Sequence, residues 1–73
     1  MEELVELLND IKGGIDYRNV KDLVTGGYFE SLDLLAVIAD IEEKFNIDIL
    51  ANDIIPANFD SVEAMWNMIT SKK

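Results

Sequence analysis

SLDLLAVIADIEEKF, Ser31 to Phe45, is the stretch whose spacing decides the fold. On a wheel of about 100° per residue, Leu34, Val37, Ile38, Ile41 and Phe45 fall in one arc, the stripe that a bundle helix buries. Ser31 reads as the N-cap, Asp33 suits the positive end of the helix dipole, and Asn46 can end the helix. Leu32, Leu35 and Ala39 make a second apolar strip beside Ser31, flanked by Glu42 and Glu43. Asp33, Asp40 and Lys44 lie in a polar sector further round. A surface helix needs only one apolar stripe. The second is therefore either covered by a short loop or exposed as a docking surface with an apolar centre and a charged rim.

Toward the N-terminus, Leu4, Val5, Leu7, Leu8 and Ile11 recur at helical spacing, with Glu2, Glu3 and Glu6 at the end that favours anions. They predict a helix over Glu2 to Lys12, stopped at Gly13-Gly14. Residues 13–30 form a long connection, pinned by Val20, Leu23 and Val24 and turned at Gly26-Gly27. Toward the C-terminus, Ile47 and Ile49 alternate with Asp48 and predict a short extended piece. Asn52 to Ile55 predicts one helical turn ended by Pro56. A capping box, Asp60 to Glu63, opens a last helix whose inner face is Val62, Met65, Trp66 and Ile69. The pattern is all-α: one domain over residues 1–73, an antiparallel four-helix bundle of three main helices and one short one, with a long first loop.

Composition narrows the function. A chain of 73 residues has one core and little room for a deep pocket. It has no cysteine and no histidine, so the thiolate nucleophile, the commonest near-neutral base and the usual soft metal ligands are missing. No G-x-S-x-G elbow surrounds Ser31 and no base is placed to activate it. An autonomous enzyme is not expected. The formal charge of −9 repels nucleic acid and draws basic partners. Between Asp22 and Ser71 the one cation is Lys44, so the middle of the chain is strongly acidic. Absent staples, an apolar leader or a spanning run, the expectation is a cytoplasmic monomer without stable membrane insertion. Asp48, Asn52 and Asp53 lack the regular ligand spacing of a calcium loop and read as turn chemistry. Met65, Trp66 and Met68 read as core.

The segment Gly27-Tyr28-Phe29-Glu30-Ser31-Leu32-Asp33-Leu34-Leu35 is similar to the phosphopantetheine attachment segment of acyl carrier proteins. The similarity continues through Ile41-Glu42-Glu43-Lys44-Phe45-Asn46-Ile47-Asp48-Ile49, Ile55-Pro56 and Asn58-Phe59-Asp60-Ser61-Val62, in order along nearly the whole chain. The resemblance implies an acyl-carrier-like bundle in which Ser31 carries 4′-phosphopantetheine, transferred covalently from coenzyme A by a magnesium-dependent phosphopantetheinyl transferase. The thiol of that arm would hold an acyl or aminoacyl group as a thioester. Glu30, Leu32, Asp33, Leu35, Ala39, Glu42 and Glu43 would meet the transferase, an acyl- or aminoacyl-loading ligase and downstream acyl-processing enzymes. Glu30 stands where the family most often has aspartate. Ala36 and Ala39 stand where many carriers of fatty acid biosynthesis have an acidic and a larger apolar residue. These departures point toward a specialised carrier, such as a D-alanyl carrier or one in a secondary-metabolite pathway. The alternative is an unmodified acidic helical module that docks a basic partner through the same strip and is indifferent to Ser31.

Overall fold

Leu4, Val5, Leu7 and Leu8 supply the buried stripe of α1 (Glu2–Ile11). The helix stops one residue before the expected end. Lys12 is extended, with φ −147°, and donates its N–H to the Leu8 carbonyl. The computed structural model describes residues 1–73 and has three further helices, α2 (Ser31–Phe45), α3 (Pro56–Phe59) and α4 (Val62–Ser71), with a 3-10 turn at Ala51–Asp53. Three main helices and one short one, no strand, and a long loop between α1 and α2 make the all-α architecture expected from the sequence. α1 packs against α2 and α4, and α3 against α4. No helix is long and apolar enough to cross a membrane.

One core of 16 buried side chains joins these elements, and none of them is charged. Tyr17 is the one titratable side chain among them. On α2, Val37, Ile41 and Phe45 are buried, while Leu34 and Ile38 pack half-buried at the edge. On α4, Val62, Met65, Met68 and Ile69 are buried. Trp66, expected on the inner face, is half-buried and sets its ring edge-on to Phe45 at 5.8 Å, which joins α4 to the end of α2.

The long loop is held more firmly than its three expected anchors suggest. Leu23 is fully buried, but Val20 and Val24 only partly. The other deep anchors are Tyr17 and Phe29, with ring centroids 6.1 Å apart. The Tyr17 hydroxyl donates to the Leu8 carbonyl at 3.2 Å and to the Lys12 carbonyl. The Leu8 carbonyl already takes the Lys12 N–H, but the Lys12 carbonyl has no backbone partner, so Tyr17 helps to close the end of α1. Burial, aided by the charge of Asp33, pushes its hydroxyl pKa up and keeps it a donor. Gly26 is required for a different reason: a Cβ there would meet the Asp22 carbonyl at 2.5 Å. Gly27 adopts a left-handed φ of 80°, which favours glycine.

Two local expectations are corrected. Pro56 does not end a helical turn. It begins α3 at the first helical position, where its missing N–H costs nothing, and the preceding turn lies at Ala51–Asp53. The Ile47–Ile49 piece lies outside the helices, as expected, and pairs with no strand. Finally, Asp60 does not cap α4. Ser61 does, its Oγ accepting from the Ala64 N–H at 3.1 Å.

Asp60 is instead turned to the loop. Its Oδ1 accepts from the N–H groups of Val24 and Thr25, both at 2.9 Å, and its carbonyl accepts from Leu23 N–H at 2.8 Å. Hydrogen bonds to a charged acceptor contribute about 1.5–3 kcal/mol in all. Asp60→Ala is expected to lose about that much in urea denaturation, and Asp60→Asn, which keeps one acceptor oxygen, to lose less.

Candidate functional site

Ser31 is the first helical residue of α2, not its cap. The cap is Glu30, with an extended backbone at φ −89° and ψ 172°. The shift has a local cause. Asp33, three residues after Glu30, accepts the Glu30 N–H at 2.9 Å through Oδ2, so the turn closes around Glu30. Ser31 is left exposed, with no hydrogen-bond partner for its hydroxyl within the chain. The backbone N–H groups of Ser31 and Leu32 are also free of backbone partners, as the first turn of a helix requires.

Asp33 Oδ2 also receives Lys12 Nζ at 3.0 Å. The Glu30 N–H, and then Lys12, hold the Asp33 carboxyl below its usual pKa. The bridge ties the end of α1 to the first turn of α2 across the whole long loop. Glu42, half-buried, turns back on its own chain and accepts the Ile49 N–H at 2.9 Å, fixing the segment after α2. Of the four carboxylates expected at the docking rim, Asp33 and Glu42 are therefore engaged within the molecule. Glu30 and Glu43 are exposed and form no ion pair.

The second strip on α2 is uncovered. Leu32 is 79% exposed, Leu35 62%, and Ala39 is also exposed. No loop lies over it. Tyr28, Leu50, Ile54 and Ile55 add exposed apolar surface. Leu50, Ile54 and Ile55 fall in a segment without regular periodicity, so no helical or strand pattern could single them out. The spacing of α2, by contrast, marks its own strip.

Charge pairing sharpens the acidity. Four of the six cations are consumed within the fold: Lys12 by Asp33, Arg18 by Glu2 at 2.5 Å, Lys21 by Glu63 at 2.5 Å, and Lys72 by Asp53 at 2.6 Å. Lys73 lies over the Phe45 ring. Between α1 and α2, Glu3, Glu6, Asp10, Asp40 and Glu43 line an open groove beside Lys44. No acids in the chain gather as a metal site would need. Asp53, one of the three residues weighed for calcium, accepts the Leu50 N–H and Lys72 instead.

The cap geometry makes a testable statement about Glu30. Aspartate is among the best N-caps because its short side chain reaches the N–H groups of the first turn. Glu30→Asp is expected to raise stability by about 0.5 kcal/mol, seen as a rise of about 2–4 °C in Tm.

Comparison with known proteins adds no relative: no family model, curated protein or solved structure matches this chain.

Proposed function

We propose that the chain is an acyl carrier protein and that Ser31 is the attachment point for 4′-phosphopantetheine. The observation that carries this reading is the state of Ser31: an exposed hydroxyl without a partner, at the first turn of α2, beside an uncovered apolar strip with acids on its rim. A serine modified by another enzyme needs access, not a base of its own. The residues present also fit the group. The free N–H groups of Ser31 and Leu32 face the end of the helix that favours anions, which suits a phosphodiester on Ser31. Bound there, the arm supplies a terminal thiol on which an acyl or aminoacyl group is held as a thioester.

The chain's own part is to present the arm. Leu32, Leu35 and Ala39 offer partner enzymes an apolar contact, and Glu30 and Glu43 offer charge to their basic residues. Asp33 and Glu42 serve the same surface by fixing the backbone at its two ends. The partners are a phosphopantetheinyl transferase, a loading ligase and downstream acyl-processing enzymes. The reactive atom belongs to the arm, so the chain needs no histidine or cysteine of its own. Labelling from a fluorescent coenzyme A by a magnesium-dependent transferase tests the reading. One label per chain is expected. A chain left unlabelled beside a labelled control carrier contradicts it.

The exposed strip and free carboxylates also favour a second reading, an unmodified module that docks a basic partner. That reading requires binding that weakens with salt and with Glu43→Gln and that ignores Ser31→Ala.

A further inference from the structure

We infer that Lys12, through Asp33, is a positioning residue for modification at Ser31: it holds the first turn of α2 in the form a transferase recognises. This rests on the reading of Ser31 as the attachment point. The geometry is a relay through one oxygen. Asp33 Oδ2 takes the Glu30 N–H at 2.9 Å and Lys12 Nζ at 3.0 Å. Both Lys12 and Asp33 are partly shielded, with side-chain exposures of 35% and 24%. The turn that contains Ser31 is closed by an aspartate whose orientation is set from the residue that ends α1.

The need for such a device follows from the sequence. Glu30 is a poor cap, and the residues before it are loop. Without Lys12, Asp33 has one fewer reason to face the Glu30 N–H, and the first turn of α2 is freer to fray. A transferase that binds only the closed turn then sees a smaller competent fraction, and its apparent affinity falls by that fraction. The cost belongs in KM, because the turn, once bound, is the same turn.

Net charge gives the opposing expectation. Removing a cation makes the chain more acidic, and charge steering alone would tighten its encounter with a basic partner and lower KM. Lys21 provides the control. It is paired with Glu63 of α4 at 2.5 Å rather than with α2, and its removal changes the net charge equally. The experiment measures phosphopantetheine transfer from coenzyme A to wild type, Lys12→Met, Lys12→Arg and Lys21→Met, well below their melting temperatures. Amide exchange at Glu30 is followed alongside. KM is expected to rise about two- to fivefold for Lys12→Met at unchanged kcat, the size that one partly exposed ion pair can move. Lys21→Met is expected to hold or lower KM, and Lys12→Arg to restore it. The Glu30 amide is expected to exchange faster in Lys12→Met alone. Equal KM for the two methionine variants would overturn the inference. If wild type is not modified at all, the reading of Ser31 falls and takes the modification role with it. The exchange comparison then still decides whether Lys12 fixes the turn.

Discussion

Ser31→Ala is expected to remove modification completely while leaving the fold almost untouched. No other residue can replace the lost oxygen at the first turn of α2. The nearest hydroxyls along the chain, Thr25 and Tyr28, lie in the preceding loop. Had Ser31 been the cap of α2, alanine would cost about 1 kcal/mol. The cap is Glu30, and the Ser31 hydroxyl bonds to nothing in the chain. Alanine is also the better helix former. Stability should therefore stay within about 0.5 kcal/mol of wild type. The measurement pairs a modification assay with urea denaturation of the same sample. Loss of modification with an unchanged midpoint assigns the site. Modification that persists in the alanine variant would mean that another residue carries the arm.

Phe59→Ala should be the most destabilising of the substitutions considered. Phe59 is fully buried although it sits in the shortest helix, and it packs the α3–α4 corner onto the shared core. Truncating a buried phenylalanine costs about 3–5 kcal/mol through lost transfer energy and the cavity left behind. A chain of 73 residues has roughly 4–11 kcal/mol in total. The variant should therefore retain little of its stability and lose helical circular dichroism well below the wild-type melting temperature. Asp60 follows Phe59 directly and holds the loop at Val24 and Thr25, so the loop should loosen with the corner. A stability within about 1 kcal/mol of wild type would show that the core repacks around the gap.

The helices were legible because their apolar residues repeat at fixed intervals. The bounds of α2 and the second apolar strip of Leu32, Leu35 and Ala39 follow from spacing; that the strip is uncovered depends on where the loops run, which spacing does not say. What spacing could not resolve are choices between neighbouring side chains. Ser31 and Glu30 compete for the cap, and serine is the better candidate by local propensity. Asp33, held by Lys12 from the far end of the long loop, decides for Glu30. Asp60 and Ser61 compete at the start of α4, and the open N–H groups of Val24 and Thr25, distant in sequence, draw Asp60 away. The inward use of Asp33 and Glu42 was hidden for the same reason: wheel position fixes where a side chain starts, not which backbone group it reaches. Tyr17 and Phe29 escaped notice because a loop has no period to betray its anchors.

The measurement that bears most directly on the central claim is the intact mass and peptide map of the wild-type chain after incubation with coenzyme A, magnesium and a broad-specificity phosphopantetheinyl transferase. The account requires a gain of one phosphopantetheine, carried on the peptide containing Ser31 and on Ser31 within it. An unchanged mass, with a control carrier modified in parallel, would contradict it and leave the exposed strip of α2 to an unmodified docking module.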